Sequence, residues 1–405
     1  MSLSGTHIAI IGAGIGGLAA ARALALRGAE VRVLEQAAEI REVGAGLQVS
    51  PNGMAVLRGL GLDTALKRTG AVRAEAVTLC NHHGEEVLPL DVARHGTGGH
   101  YCVYRADLID VLAQGARAAG ARIGLMHQAA EVHGGARPEI VTMQGARVRA
   151  DVVIGADGLH SRVRPALNGA AKPFFTRQVA WRAMVEETGP LEPEVRLFMG
   201  PGRHLVTYPL RGGRARNIVA VYETPEWTEE SWSQPGDPAA LRALFAGFGP
   251  EVRELLSRVE TVGRWGLFRH PVARRWHDGG LALLGDAAHP TLPFMAQGAC
   301  LALEDAWVLA ETLDGPGALP DRLAAYQDRR ARRAARIVGA ASRNAWKYHV
   351  SLPPLRAAGH LALRLGGIVA PAAMVRQFDW IYREDVTGGA VLSGGSDAEP
   401  VAPGT

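Results

Sequence analysis

Three short segments carry residue types whose spacing could do chemistry, and a fourth could shape what that chemistry acts on. Gly12, Gly14 and Gly17 fall at the first, third and sixth positions of GAGIGG, a turn that follows an apolar run and opens a helix. There Gly12 lets the chain turn, Gly14 lets the backbone approach a pyrophosphate, and Gly17 lets the helix pack on a sheet. The helix start adds free N–H groups and roughly half a positive charge. Glu35 ends the next strand about 20 residues on, where a carboxylate can accept both ribose hydroxyls and would repel a 2′-phosphate. The pattern predicts the adenosine of FAD or NAD, not that of NADP. Asp157, in DVVIGADG ahead of Ser161 and Arg164, and Asp286, in GDAAHP, each put an acid at the end of an apolar strand. Either alone equally describes a strand terminus with a capped turn.

The fourth segment is argued from period 2. His204, Val206 and Tyr208 share one face of a strand over 203–210, and four residues at 3.3 Å each separate His204 from Tyr208 by about 13 Å. That leaves room for one aromatic ring between an imidazole and a phenol. A histidine and a tyrosine bonded to backbone within a sheet is the structural alternative.

The elements that must position these groups follow from periodicity. His7–Ile11, a helix with Leu18, Ala21, Leu24 and Ala25 inward and Gly28 at its end, and Glu30–Leu34 form one βαβ unit. A helix over 104–118 and a buried strand over 148–154 extend the same layered architecture. Between about 178 and 223 the pattern changes to short alternating strands, 178–186, 194–199, 203–210 and 216–222, parted by Gly and Pro turns. The α/β pattern returns at 281–284 and runs into a long helix over 299–313. The nucleotide-binding unit is therefore expected to be discontinuous: residues 1–71, 101–177 and 266–350, with 72–100 and 178–265 forming a substrate domain. Residues 351–386 read as a helical segment and 387–405 as a mobile tail.

Composition bounds the reading. The 405 residues, 47% hydrophobic and 21% charged, describe a globular chain of two or three packed units and exclude disorder, collagen and coiled coil. A net charge of +4 does not imply nucleic-acid binding. The densest basic run, Arg329, Arg330, Arg332, Arg333 and Arg336, has no interleaved aromatics and reads as a solvated helix face. Cys80, Cys102 and Cys300 lie far apart, supporting neither a disulfide framework nor a metal site and making a reducing compartment the default. The apolar stretches at 8–21 and 365–375 lack the flanks or length of a signal or a membrane span, so the expected location is cytoplasmic.

Together, GAGIGG with Glu35, GADG with Arg164, and GLALLGDAAHPTLPFMAQGACLALEDA resemble the single-component FAD-dependent aromatic hydroxylases, the para-hydroxybenzoate hydroxylase superfamily. The resemblance spans nearly the whole chain. The flanks VGAGLQVSPNG, AWRA, HLVTYP and FDWIY look most like those of 3-hydroxybenzoate 6-hydroxylases and their salicylate hydroxylase and 6-hydroxynicotinate 3-monooxygenase relatives. It implies an α/β fold: a discontinuous Rossmann-like FAD-binding domain, an inserted antiparallel β-sheet substrate domain and a helical C-terminal segment. It further implies non-covalent FAD, with Asp286 on the ribityl chain, Asp157 by the pyrophosphate, and Arg41 and Arg105 on the cofactor's polar parts. Pro293, Gly298 and Ala299 would line the flavin ring, the helix start aiming its dipole at the pyrimidine edge.

His204, Tyr208 and Gln297 would line the substrate pocket as candidate catalytic residues. The implied chemistry reduces FAD with NADH or NADPH, captures O2 as a C4a-hydroperoxide, and hydroxylates an electron-rich ring activated as a phenolate. His204, with an ordinary pKa near 6.5, suits the phenol proton, and Tyr208 suits a hydrogen bond to it. The expected partners are a small aromatic substrate, O2 and NAD(P)H, with no nucleic acid and no integral membrane association; a homodimer is left open. A flavin-linked dehydrogenase or disulfide reductase would show a second glycine fingerprint or a CxxC, and neither is found. A flavin-binding protein without catalysis would not need inward polar residues on an inserted sheet. An epoxidase or hydroxylase of a larger polycyclic substrate would share the cofactor chemistry and differ in pocket volume.

Overall fold

A computed structural model describes residues 3–40, 46–93, 98–189, 191–231 and 234–392. Its central layer is a six-stranded sheet in the order His277–Asp278, Leu281–Leu283, Val152–Gly155, His7–Ile11, Glu30–Leu34, Arg122–Gly124, parallel throughout except for the first strand. Strands covered on both faces must be apolar along their length, which is why Ile8, Ile10, Val153, Ile154, Ala282 and Leu283 are all buried. Helix Ile15–Ala25 lies on this sheet and packs against helix Gly298–Leu313. Small residues make the approach possible: a Cβ on Gly16 would stand 2.6 Å from Leu284 and 3.2 Å from Ala302.

The second layer is an eight-stranded sheet ordered Pro235–Gly236, Val262–Arg269, Phe174–Glu186, Ala215–Glu223, Arg203–Leu210, Glu194–Gly200, Ala76–Asn81, Glu86–Asp91. Arg203–Leu210 has the expected bounds, and its neighbours run one to four residues longer than their alternation suggests. The sheet is antiparallel except where Glu194–Gly200 pairs in parallel with Ala76–Asn81. That seam arises because the chain enters the sheet twice, and parallel neighbours require a long connection between them. Helices Pro353–Val369 and Pro371–Arg376 then return along its far edge, and Asp379–Tyr382 packs against helix Pro51–Gly59.

Three expectations are corrected. The strand over 148–154 is two: Arg147–Arg149 belongs to a small meander and Val152–Gly155 to the central sheet. Asp151 cannot enter a buried ladder; its Oδ2 instead accepts from the His7 N–H at 2.9 Å, and the chain changes sheets there. The five arginines do not share a solvated face. Helix Leu319–Tyr348 buries Leu323, Tyr326, Arg330, Ala334 and Ile337 on one stripe, so Arg330 faces inward at 1% exposure, and Arg333 is half-buried beside it. Arg329, Arg332 and Arg336 remain exposed. The tail is packed as far as it is described: the Leu392 N–H donates to the Gly59 carbonyl at 2.8 Å and Thr387 is buried. Residues 393–405 lie outside the described residues.

Candidate active site

A single cavity of about 810 Å³ runs from the glycine turn at the central sheet to the face of the large sheet, in the upper part of the range for ligand pockets. Gly12, Gly14, Glu35, Arg105, Asp157, Asp286, Pro293, Gln297, Gly298, Ala299, His204 and Tyr208 all line it. Gly17 does not; it acts behind the turn, where a Cβ would stand 2.0 Å from the Gly12 carbonyl oxygen. Arg41 lies outside the described residues.

The nucleotide end is built mostly from backbone. Gly12 has φ +101°, and a Cβ there would meet the Ala156 carbonyl oxygen at 2.5 Å, so only glycine makes this turn. A Cβ on Gly14, by contrast, would meet no atom within 4 Å and would stand in the cradle itself. Glu35 is held by the chain it serves, Oε2 accepting from the Ala13 N–H at 2.7 Å and Oε1 from the Ala37 N–H at 2.9 Å. That fixes the carboxylate while leaving lone pairs for further donors.

Midway, Asp157 Oδ2 accepts from the Arg162 N–H at 2.6 Å, while Oδ1 is buried with no partner among the described residues, and burial raises its pKa. Asp286 opens onto the cavity from the turn after Leu281–Leu283; burial raises its pKa, opposed by the nearby His289, Arg105 and His270. That turn is braced from behind by Asp305, whose Oδ2 accepts from the Gly285 N–H at 3.0 Å and meets His289 Nε2 at 2.5 Å. Asp305 and the equally buried Glu304 share Arg330, each at 2.7 Å, and Glu304 also takes Arg333 at 2.8 Å. Arg330 and Arg333 hold the Glu304 carboxyl, and His289 with Arg330 the Asp305 carboxyl, below the usual range despite complete burial.

An open cradle at a glycine turn, an orphaned buried carboxylate oxygen and the backbone-held Glu35 carboxylate in the same cavity wall fit a dinucleotide with a sugar-alcohol arm. The residues that would hold FAD are therefore those just described.

The far end is built from side chains. His204 and Tyr208 sit on one face of Arg203–Leu210, as period 2 requires, with Val206 between them in the cavity wall. His204 is buried, and its pKa is pushed well below the usual imidazole value, first by burial and then by His349. Burial raises the Tyr208 phenol far above its usual value, so it stays protonated and can donate. Gln297 lines the cavity, but its amide is engaged elsewhere: Nε2 donates to Ser50 Oγ at 2.9 Å and Oε1 accepts from Asn52 Nδ2 at 3.1 Å.

Sequence reasoning missed Arg182, which lines the cavity from the AWRA strand; burial brings its pKa down to about 10, leaving it cationic at neutral pH. An arginine inside an otherwise apolar strand was the available signal. It also missed His349, for which no local pattern exists.

This geometry defines a flavin-binding oxidoreductase site. The family described as "FAD binding domain" matches residues 5–341, and the chain belongs to it. It is 38% identical over 357 residues to a 3-amino-4-hydroxybenzoate 2-monooxygenase of Streptomyces cremeus, covering 85% of this chain and 88% of that one. A 3-hydroxybenzoate 6-hydroxylase of Klebsiella oxytoca is 35% identical over 366 residues, covering 84% and 88%. Among solved structures, Klebsiella pneumoniae HpxO complexed with FAD and uric acid superposes with a TM-score of 0.81 at 26% identity, over 93% of this chain and 97% of that one. The protein is an FAD-dependent monooxygenase of the aromatic hydroxylase type, with a Rossmann-like FAD-binding domain, an inserted sheet and C-terminal helices. No described helix is long and apolar enough to cross a membrane.

Proposed function

We propose that the protein hydroxylates a small aromatic acid bearing a phenol or equivalent hydroxyl, consuming NADH or NADPH and O2. The observation that carries this reading is the continuity of the cavity: the cradle at Gly14 and the pocket between His204 and Tyr208 are one space, roofed by the 293–298 loop. When bound, FAD reduced by NAD(P)H supplies the activation of O2, one atom going to the ring and the other leaving as water.

Gly12, Gly14 and Glu35 would hold the adenosine and pyrophosphate, and Asp157, Asp286 and Arg105 the polar middle of the cofactor. Pro293, Gly298 and Ala299 would border the ring. Arg182 supplies a cation for the substrate's carboxylate. His204 would take the phenol proton and Tyr208 would donate to the ring oxygen. Gln297, tied to Ser50 and Asn52, would set the shape of the loop. In domain terms, residues 1–71, 101–177 and 266–350 would bind FAD, and 72–100 and 178–265 the substrate. The relatives' named substrates, both hydroxybenzoates, support the class.

A second reading, a larger ring system, is favoured by the apolar wall that continues past Tyr208 to Leu79, Leu90 and Val375. The test is a panel of hydroxybenzoates, salicylate, hydroxynicotinates and a fused-ring phenol, scored by stimulated NADH and NADPH oxidation with H2O2 subtracted. A small acid coupled to oxidation of either nucleotide, with NADH expected to be the better donor, supports the proposal. Coupling only with the fused-ring phenol transfers it to the second reading, and stimulation by none rejects both.

A further inference from the structure

His204 touches more than the cavity. Its Nδ1 lies 2.6 Å from His349 Nε2, and His349 Nδ1 lies 2.9 Å from Glu223 Oε1. The three side chains come from distant places: the Arg203–Leu210 strand, the end of its neighbour Ala215–Glu223, and the residue after helix Leu319–Tyr348. The His349 side chain is 1% exposed, whereas that of Glu223 is 50% exposed. The row therefore begins in the cavity and ends in solvent. The geometry points to a proton outlet: His349 and Glu223 set the state of His204 and carry the substrate's hydroxyl proton from the cavity to bulk water. This rests on the phenolic substrate proposed above.

With both imidazoles neutral, the chemistry of the donors fixes the direction. An ionised carboxylate can only accept, so Glu223 selects the His349 tautomer with hydrogen on Nδ1. A neutral His349 then has a bare Nε2, which can only accept, so His204 must donate from Nδ1. His204 Nε2 is left without a proton, and no described residue bonds it. Thus a surface carboxylate two side chains away makes the cavity-side nitrogen a base.

Transfer then balances without any net charge left on either ring. The substrate O–H proton moves to His204 Nε2, the Nδ1 proton moves to His349 Nε2, the His349 Nδ1 proton moves to Glu223, and Glu223 releases it to water. The products are a bound phenolate and a solvent proton. Burial, which depresses the His204 pKa, disfavours holding that proton as an imidazolium, so a second acceptor is what lets a buried histidine work as a base here.

The backbone keeps the row aligned. The Gly202 N–H, in the turn leading to His204, donates to the His349 carbonyl at 3.1 Å, and Glu223 N–H donates to the Gly202 carbonyl at 2.8 Å. The other rings against His204 among the described residues are Phe294 from the loop, which does not ionise, and Tyr348, whose phenol burial pushes up to about 12, while Met199 and Val221 face it across the sheet. His349 and Glu223 are positioning residues in this scheme, acting through His204.

The test uses the oxidised FAD-loaded protein and 4-hydroxy-3-nitrobenzoate, whose phenolate absorbs visible light, titrated with pH while bound. The wild type should ionise the bound probe at lower pH than free solution does. Glu223→Gln, at a half-exposed site that tolerates the change, should raise that pH by about one unit, a tenfold loss in ionisation constant. His349→Ala should do the same, and added imidazole should restore it, which a purely structural role would not allow. A Glu223→Gln protein that binds the probe and titrates with the wild type overturns the relay while leaving the hydroxylase reading intact. A wild type that binds neither the probe nor any phenol of the panel overturns both.

Discussion

The two ends of the cavity are made by different means. At the nucleotide end the ligand-facing surface is a turn of main chain, and the neighbouring Gly285–Asp286 turn is also main chain, braced by a buried lattice of Glu304, Asp305, Arg330 and Arg333 with His289 bonded to it. At the substrate end the surface is side chains on a pleated sheet, Val206, Tyr208, Val195, Leu197, with His204, Arg182 and His100 as the polar groups set among them. The first end is fixed in shape and has little to vary. The second can change one residue at a time without moving a strand, which is how one architecture can serve relatives with different aromatic acids.

The contrast can be broken hardest at the lattice. Arg330→Met leaves two carboxylates buried with one cation fewer, and should cost about 3–5 kcal/mol in denaturant unfolding of the FAD-loaded protein. Acid should act on the same groups. Glu304 and Asp305 have folded pKa values below the ordinary range near 4, so their stabilisation is complete above those ordinary values and is lost as pH falls toward the folded ones. Melting temperature should drop on acidification below about pH 4, with a shallower slope in Arg330→Met; equal slopes would remove the lattice from the account.

Next in size is the cradle. Gly14→Val should weaken FAD retention by about a hundredfold, roughly 2.7 kcal/mol. Because nothing lies within 4 Å of that Cβ, the apoprotein should melt as the wild type does. Gly17→Val should instead damage folding, since its Cβ would collide with the Gly12 carbonyl. Equal flavin content in a folded Gly14→Val protein would show that the turn is misread.

The change at the sheet is the one that leaves both folding and FAD retention untouched. Tyr208→Phe should keep FAD and substrate-stimulated NADH oxidation but divert more of the oxygen to H2O2, with hydroxylation reduced on the order of tenfold to a thousandfold. Unchanged hydroxylation and peroxide yield would move the pocket away from Tyr208.

What could be read from the chain in advance follows the same divide. Gly12, Gly14, Gly17 and Glu35 were legible because they fall on one turn and one strand end close in sequence, and Arg203–Leu210 was legible because Gly-containing turns bound it, although both of its faces are buried. Arg330 was misread because a charge inside a helix looks solvated until its counter-ions, more than twenty residues earlier in the chain, are known to lie across the interface. His349 has no neighbour in sequence that announces it; its partners are His204 and Glu223, brought to it by sheet register and by the length of one helix. The parallel seam between Glu194–Gly200 and Ala76–Asn81 was hidden for a related reason, since no local pattern records which strands from separate excursions will meet.

Val375, Phe378 and Tyr382 close the substrate end, and Arg333 grips that segment through the carbonyls of Trp380 and Ile381 at 2.8 and 2.9 Å. Synthesis delivers those residues after every strand of both sheets. A nascent chain can therefore assemble its βαβ start, and then the floor of the large sheet, while the space for an aromatic ring still lies open to water. These late helices convert an open trough into a chamber, so ageing or clipping of that segment should expose a flavin that still binds but wastes its oxygen.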